Sequence, residues 1–326
     1  MKRSFLILFL FFFQIISAQN QLKIDSLQIK LDNSSEDTVK IKLLLALSDS
    51  YYRVDLVKSL LQAKNALELS EDIKNDLFVV RSRMKIGSSL IFMGNYDEAL
   101  SNFLSSLTIA KKNKYRSEEL IALTYIGIIQ DRIGQFDEAL RYYFEALNLY
   151  NNSIETGQTL KDVKNIQSLY NNIGNIYLSK NNLSTAEEYY LKGLALSEKS
   201  NDDLNIGTIC NNMGKLEMQR NNNAKALEFL CKSLEAREKI NDKSGIAKSY
   251  YHLSSYYQNI NQFDKALSFA QDALKLSQEV KEPLSSQISA MFLYQITKYM
   301  TKIYKYLYHL ERKRLKVPKQ YKSVHI

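Results

Sequence analysis

The residues of this sequence whose types could do chemistry are few, and the most conspicuous of them are acidic pairs. Asp97-Glu98 and Asp137-Glu138 stand at the same place in two similar phrases, GNYDEAL (94–100) and GQFDEAL (134–140). Paired carboxylates could serve general acid–base catalysis. They also suit the first turn of a helix, because negative charge is stabilised at the positive end of the helix dipole. We favour the helix start, since the phrase returns as NQFDKAL (261–267) with its second acid changed.

Other reactive side chains are scarce and are not spaced as a site. The three histidines (His252, His309 and His325) have no metal-ligand spacing, and no phosphate-binding loop, nucleophile elbow or dinucleotide glycine pattern occurs. Cys210 and Cys231 are the only cysteines. They could form a disulfide in an oxidising compartment or remain free thiols in the core. We therefore expect no enzyme, no cofactor and no metal, and the state of the two thiols stays open.

The composition indicates the elements that must carry these residues. Of 326 residues, 45% are apolar, which is enough to bury a core, while only two are proline and ten are glycine. So little turn chemistry does not suit an all-β or α/β fold, and the commonest residues are compatible with helix interiors. The sequence predicts an all-α protein.

The net charge of +9 is concentrated at the two ends of the chain. Lys2 and Arg3 lie at the start, and residues 298–326 hold nine Lys and Arg against Glu311 alone. The remainder is close to neutral, so no basic face for nucleic acid is predicted on the folded part. We expect no nucleic-acid partner.

The first twenty residues, MKRSFLILFLFFFQIISAQN, have the pattern of a secretory signal peptide. A charged start precedes an apolar run, and Ser-Ala-Gln follows it. The run is shorter than the roughly 20 residues that span a bilayer. We predict cleavage after Ala18 and an exported, periplasmic or secreted protein; an uncleaved membrane anchor is the alternative.

A sequence repeat with an almost constant period runs through the middle of the chain. Its small residues are Gly87, Gly127, Gly174, Gly214 and Ser254, at intervals of forty positions except for a longer one before Gly174. A Gly or Asn follows each of them after seven residues, and an Ala follows after twelve (Ala99, Ala139, Ala186, Ala226 and Ala266). Such self-similarity predicts stacked supersecondary units.

The pattern resembles the tetratricopeptide repeat, in the long-helix variety of exported bacterial proteins, whose period is longer than the common one. The resemblance rests on the small residue, the turn Gly, the Ala and the bulky residues Phe103, Tyr143, Tyr190 and Leu230, with Ala270 as an exception. It implies an all-α fold, a right-handed superhelical solenoid of antiparallel helix pairs that is stabilised by stacking. We predict a signal peptide at 1–18, an N-terminal segment at 19–40, a solenoid of about six repeats at 41–282, and a capping helix with a basic tail at 283–326.

Each repeated phrase has a physical interpretation. Gly94 and its Asn equivalents should end the first helix in left-handed backbone, which glycine and asparagine adopt most easily. The acids should then lie in the first turn of the second helix. Gly87 and Ala99 should be small because the two helices approach closely there.

Two segments depart from the repeat. The longer interval before Gly174 marks an insertion near 151–165, which either lengthens the helices or forms a loop. We favour the loop because Asn151, Asn152, Ser153 and Gly157 occur there. After Pro283 the expected Gly and Ala do not return, and the tail becomes basic. A helix that caps the solenoid is one interpretation, and a basic amphipathic helix on an acidic membrane surface or partner is another. A truncated or frame-altered end is the third.

The resemblance implies that the concave face, formed by the first helix of each repeat, is the binding surface. Its candidate residues are Arg81, Met84, Ser88, Thr124, Ile128, Asn171, Asn175, Asn211, Asn212, Lys215, Lys248, Tyr251, His252 and Ser255. Asparagine offers both donors and an acceptor to a peptide backbone. The pattern matches a carboxylate clamp only in part, since a Lys and an Arg of that motif are missing. A polar groove without a specific peptide-end site is the alternative.

The sequence thus predicts a non-enzymatic scaffold that binds a protein or peptide. The alternative is the sensory or regulatory portion of a signalling system, associated with histidine kinases or transcription regulators, whose effector domain is lost, truncated or encoded separately. Association with a membrane surface through the basic tail is a third hypothesis. The sequence does not indicate an oligomeric state.

Overall fold

The computed structural model describes residues 21–52, 54–155 and 166–280, together with part of 290–298. The predicted signal peptide, the basic tail and residues 156–165 lie outside the described residues. The chain divides into two compact units on either side of Leu169 and Tyr170. We call them the first unit and the second unit and describe each by itself.

The described residues form helices connected by short turns, and no strand occurs among them. A first helix, α1, covers residues 21–32. The others are α2 (Asp37–Tyr51), α3 (Leu56–Asp72), α4 (Asp76–Met93), α5 (Tyr96–Asn113), α6 (Arg116–Arg132), α7 (Phe136–Glu155), α8 (Ile166–Ser179), α9 (Leu183–Lys199), α10 (Asp203–Gln219), α11 (Asn223–Lys239), α12 (Lys243–Asn259) and α13 (Phe263–Glu279). The even-numbered helix from α2 onward is the first helix of each pair, and the odd-numbered helix that follows is the second. The predicted all-α, solenoid-type fold of helix pairs is confirmed.

The turns after the first helices have the predicted left-handed residue. Five such residues have positive φ angles between 57° and 81°: Gly94, Gly134, Asn181, Asn221 and Asn261. The amide of Asn95 then donates to the carbonyl of Leu90 (2.9 Å), which is the closing bond of a Schellman motif. The exchange of Gly and Asn at this place therefore follows from backbone geometry.

The turns after the second helices have the same geometry, which the sequence analysis missed. Lys74, Lys114, Asn201 and Asn241 have φ angles between 53° and 59°. The left-handed turn therefore recurs at half the spacing of the small residues. Asn201-Asp202 and Asn241-Asp242 could have indicated it, because a left-handed residue and then a helix cap are what such a turn requires.

The acidic pairs lie where the helix-start interpretation places them. Asp97 and Glu98 are in the first turn of α5, and Asp137 and Glu138 are in the first turn of α7. Asn95 and Glu98 form a reciprocal cap: Glu98 N donates to Asn95 Oδ1 (3.4 Å), and Asn95 Nδ2 donates to Glu98 Oε2 (2.9 Å). These contacts give Glu98 a role at a helix start.

Replacing Lys114 with glycine is expected to stabilise the protein by about 0.5–1 kcal/mol, because a residue with a Cβ is strained in left-handed backbone, whereas glycine is not. Chemical denaturation measures the change in the free energy of unfolding. The control is Lys64→Gly, in the exposed interior of α3, which should cost about 1 kcal/mol. Equal destabilisation by both changes would contradict the strain at Lys114.

In the core of four helix pairs, a glycine of the first helix packs against a large side chain of the second helix. A Cβ at Gly87, Gly174 or Gly214 would lie less than 3.0 Å from the side chain of Phe103, Tyr190 or Leu230 respectively. The glycines therefore make room for these side chains, in addition to the close approach predicted for the helices. In the last pair both residues change, and Ser254 and Ala270 are at the same register positions and are both buried.

The first helices form the more closely spaced layer within each unit. Contacts join α2 to α4 and α4 to α6 in the first unit, and α10 to α12 in the second. Among the described helices, no corresponding contact joins α3 to α5 or α11 to α13. Side chains on neighbouring first helices are therefore brought together, as the predicted binding surface requires.

The predicted loop in the insertion near 151–165 needs correction. The insertion does not begin as a loop: Asn151, Asn152 and Ser153 lie in α7, which continues to Glu155.

Cys210 and Cys231 are free thiols, and only Cys210 is buried. Burial raises the pKa of Cys210 to about 12, so this thiol is a poor nucleophile.

Candidate functional site

Polar side chains of α8, α10 and α12 lie on one layer of first helices in the second unit. We call this surface the second-unit face and define it by six residues: Asn175, Asn212, Lys215, Lys248, Tyr251 and His252. Lys215 and Lys248 are exposed and the other four are half-buried. Ser255 lies on the same helix as Tyr251 and is half-buried as well.

The carboxamides of this face are held in place by hydrogen bonds. Asn212 Nδ2 donates to Oδ1 of the buried Asn171 (2.8 Å), which links α10 to α8. The hydroxyl of Tyr190 donates to Asn175 Oδ1 (2.8 Å). This bond fixes the orientation of the Asn175 carboxamide, whose Nδ2 is a donor suited to a ligand carbonyl. The face is therefore preorganised.

Asn171 and Asn211 are corrections to the predicted set, because both are buried beneath the surface. The Nδ2 of Asn211 points to Ser249 Oγ at 3.5 Å. Its Oδ1 has no hydrogen-bond partner in the described part of the chain. We infer that Asn211 supports the packing of α10 on α12 and leaves direct contact with a ligand to its neighbours.

The candidates of the first unit are mostly occupied by contacts within the protein. Arg81 forms an ion pair with Glu118 (2.8 Å). Thr124 is buried and donates to the Leu120 carbonyl (2.8 Å), so it is also a correction to the surface set. Ser88 donates to the carbonyl of Met84 (2.9 Å). Met84 is buried and Ile128 is half-buried. The first unit therefore offers fewer of its predicted groups to a ligand.

The cations of α4 are paired with carboxylates, whereas those of the second-unit face are not, within the part of the chain that the structure describes. On α4, the cations Arg81, Arg83 and Lys85 pair with Glu118, Glu71 and Asp49 respectively. On the second-unit face, neither Lys215 nor Lys248 forms an ion pair with any carboxylate in the described residues. Among the described residues, Lys215 and Lys248 are therefore exposed first-helix cations without an ion pair, and so are Lys42 on α2 and Arg132 on α6 in the first unit.

His252 is neutral because of its surroundings. Burial lowers the pKa of His252 from 6.5 to about 3, and the charges of Lys215 and Arg237 contribute to the shift. Desolvation lowers the pKa of Lys215 too, although the residue is exposed. The ring of His252 meets the ring of Tyr251 edge-on, with centroids 5.2 Å apart.

Acidification should destabilise the protein through His252. A histidine whose pKa is lowered on folding takes up protons only on unfolding, so stability is full above pH 6.5 and falls towards pH 3. We expect a loss of about 2 kcal/mol between pH 7 and pH 5. Urea denaturation across this range measures it.

The control is His252→Asn, since asparagine is found at the equivalent positions 172 and 212. This variant should lose much less stability over the same pH range. An identical pH dependence in the variant and the wild-type protein would contradict the lowered pKa.

Two residues near this face were missed from the sequence. The guanidinium of Arg237, on α11, donates to Thr208 Oγ1 (3.1 Å) and pairs with Asp242 (2.7 Å). Thr208 lies one repeat before Lys248, so the period alone would have placed it in the candidate set. Arg237 belongs to a second helix, and no register argument could have brought it to this face.

Within the residues that the structure describes, no three His, Cys, Asp or Glu side chains are grouped to hold a metal ion. No helix in that part of the chain is both long and apolar enough to cross a membrane.

Solved structures of several helical-repeat proteins are similar to this chain. Apo RapI matches with a TM-score of 0.65 and 16% identity, over 83% of this chain and 96% of its own. NprR in complex with its cognate peptide NprX matches with 0.61 and 14%, over 98% and 91%. Aspartyl phosphate phosphatase F from Bacillus subtilis matches with 0.60 and 18%, over 82% and 70%. At these identities the likeness shows the fold alone.

The sequence itself places the chain in a family. No curated protein sequence matches it significantly. The family model described as tetratricopeptide repeat matches residues 78–152, 165–239 and 205–279, which together make up more than half of the chain. The chain therefore belongs to the tetratricopeptide-repeat family.

Proposed function

We propose that this protein binds an extended peptide on the second-unit face and acts by binding alone, without catalysis. The observation that carries the proposal is the pair of carboxamides, Asn175 and Asn212, which hydrogen bonds to Tyr190 and Asn171 hold in position. A peptide backbone needs alternating donors and acceptors, and carboxamides supply both. Side chains that are already ordered lose less conformational entropy on binding.

The comparisons support a peptide as the class of ligand. NprR, whose fold is similar over nearly the whole of this chain, was solved with its cognate peptide NprX. Aspartyl phosphate phosphatase F has a similar fold and is named as an enzyme. The fold therefore does not decide between binding and catalysis. Our preference for binding rests on the second-unit face, whose polar groups are carboxamides, ammonium groups, the hydroxyl of Tyr251 and the imidazole of His252.

A regulatory role is the finer form of this proposal. In it, the protein is the sensory portion of a signalling system and passes the presence of a peptide to a separate effector. The signal-peptide pattern of residues 1–18 supports an exported location for that event. N-terminal sequencing of the mature protein tests the location, since cleavage after Ala18 leaves Gln19 first and an intact Met1 would contradict it.

Selection from a random peptide display library against the full chain tests peptide binding. We expect peptides with a shared sequence preference, and we expect Asn212→Ala to weaken their binding about tenfold, because it removes one held hydrogen-bonding group. The matched control is Gln271→Ala, which removes an exposed carboxamide from the second helix α13. Failure to select any peptide, or equal weakening by both variants, would count against the proposal.

A further inference from the structure

Apolar side chains lie at the surface along the turns that follow the first helices of the first unit. We call this surface the first-unit edge and define it by Tyr52, Val54, Phe92, Met93 and Ile133. Tyr52 is half-buried and the other four are exposed, among them Phe92 at 63% and Val54 at 58%. Apolar side chains stabilise a fold through the area that they remove from water. These four residues therefore contribute little to the stability of the fold through burial.

Two aromatic rings hold the centre of the first-unit edge together. The ring centroids of Tyr52 and Phe92 are 4.7 Å apart, with an angle of 65° between the ring planes. Tyr52 ends α2 and Phe92 lies in the last turn of α4. Ile133 ends α6 at the register of Met93, and contacts join α2 to α4 and α4 to α6. The edge is thus a row across three successive turns.

The repeat shows that the fold does not require these apolar side chains. The positions of Phe92 and Met93 are occupied in the second unit by Ser179-Lys180, Gln219-Arg220 and Asn259-Ile260. Five of these six residues are polar, yet the same left-handed turn follows them. The apolar character of the edge is therefore a property of the first unit and not of the repeat.

Carboxylates border the first-unit edge at the starts of the second helices. Asp97 and Glu98 are exposed in the first turn of α5, and the cap described above holds the Glu98 carboxylate at the turn that follows α4. Neither of them forms an ion pair with a described residue. Asp137 and Glu138 are exposed in the first turn of α7, and Glu138 pairs with Arg141 (2.8 Å). The second unit has Ser184-Thr185, Ala224-Lys225 and Asp264-Lys265 at these positions, so its turns lack the acidic border.

The length and the charge of the edge suit a basic amphipathic helix. Packed helices lie about 8–10 Å apart, so three successive turns span about 20 Å, the length of about 13 helical residues. One apolar stripe of such a helix can follow the row, and Lys or Arg beside the stripe can meet the carboxylates.

The area of the edge argues against a second copy of this chain. The apolar side chains expose on the order of 400–500 Å². A stable dimer buries about 800 Å² on each partner, so two copies cannot pair through this surface alone. A membrane rich in anionic lipids has the same sign of charge as the acidic border and is repelled by it. The helix of a partner protein is the occupant that both size and charge favour.

We propose that the first-unit edge docks a basic amphipathic helix of a partner protein. The apolar stripe of the helix packs on the rings of Tyr52 and Phe92, and its basic residues pair with Asp97 and Glu98. The inference goes beyond the proposed function, because the edge lies in the first unit and docking there requires no peptide on the second-unit face. In the regulatory form of that function, the partner is the effector.

Selection from a display library of helical peptides of about 18 residues against the full chain tests the inference. The affinities of the selected peptides are measured for the wild-type protein and for the edge variant Phe92→Ser/Met93→Lys, which takes the residues of α8 at these positions and should fold normally. The matched control is Leu104→Gln/Leu191→Gln, which removes two exposed apolar side chains from the second helices α5 and α9. Glutamine occurs naturally at the equivalent position 271.

We expect the selected helices to have an apolar stripe flanked by Lys or Arg. They should bind the edge variant about tenfold more weakly than the wild-type protein and the control. Replacing their flanking Lys and Arg with Gln should weaken binding to the wild-type protein about fivefold. The same replacement should matter much less for Asp97→Ser/Asp137→Ser, in which the acids become the serine found at position 184.

Several results would overturn the inference. No selected helix, or equal affinity for the edge variant and the wild-type protein, would remove the docking site. Selected helices without basic flanks would remove the role of the acidic border. Self-association in sedimentation equilibrium, or binding to phosphatidylserine vesicles, that the edge variant abolishes would assign the edge to a second copy or to a membrane. Peptide binding at the second-unit face is measured separately with Asn212→Ala, so either proposal can fail alone.

Discussion

Gly127→Ser should destabilise the protein by about 1–3 kcal/mol, although glycine is itself a poor residue for a helix interior. A Cβ at this position would overlap ring carbons of Tyr143, and Tyr143 is fully buried. The ring has no open space into which it can turn, so the helices of this pair must move apart. The lost packing outweighs the gain in helix propensity.

The reciprocal change and the double variant make this prediction specific. Tyr143→Ala alone should cost about 3–5 kcal/mol, because it leaves a cavity. Combined with Gly127→Ser, it reproduces the natural pair Ser254 and Ala270. In that pair Ser254 Oγ donates to the Ala266 carbonyl (2.6 Å), and a serine at 127 has Ala139 at the same offset.

Chemical denaturation of the wild-type protein, both single variants and the double variant measures the coupling between the two positions. We expect the double variant to be more stable than Tyr143→Ala by about 1 kcal/mol or more, since the serine fills part of the cavity. If the two losses simply added, the size complementarity of residues 127 and 143 would be refuted.

Arg237→Met should destabilise the protein by about 2–4 kcal/mol, because it breaks a largely buried ion pair. Arg237 joins three helices: it lies on α11, donates to Thr208 on α10, and pairs with Asp242 at the start of α12. Its side chain is 7% exposed, and that of Asp242 is 22% exposed. The Arg237 side chain passes directly over Gly207 and Gly245, where a Cβ would collide with it.

A nearby ion pair provides the control. Lys239 lies two residues further along α11 and pairs with Asp203 (3.0 Å), but its side chain is 65% exposed. Lys239→Met should therefore cost less than about 1 kcal/mol. Arg237→Met/Asp242→Asn should recover part of the loss, because asparagine caps α12 without leaving an unpaired charge. Equal effects of Arg237→Met and Lys239→Met would mean that burial does not set the strength of these pairs.

The sequence predicted the fold well because the fold depends on local geometry that repeats. Gly94 and Asn181 can exchange only where the backbone is left-handed, and Gly127 and Tyr143 keep a fixed spacing because they occupy the same space. The shorter period of the left-handed turns was harder to see. Lys74 and Lys114 occupy two of these positions, and lysine gives no sign of that backbone conformation.

The site was predicted less well, because register does not report burial or pairing. Register placed Asn211 and Asn212 together, but only Asn212 is on the surface. It also could not show that Arg81 has a carboxylate partner whereas Lys215 has none in the described part of the chain, since that depends on Glu118 from a neighbouring pair. Arg237 acts on His252 from a second helix, so only three-dimensional packing reveals it.

The central claim is that a peptide binds to the first helices of the second unit, and photo-cross-linking tests it most directly. A benzophenone side chain is placed at Ser255 on α12 or, as the control, at the exposed Ser268 on α13. A peptide selected against the full chain should cross-link to position 255, and excess unlabelled peptide should abolish the product. Little or no cross-linking is expected at position 268. Cross-linking at 268 with none at 255 would contradict the account.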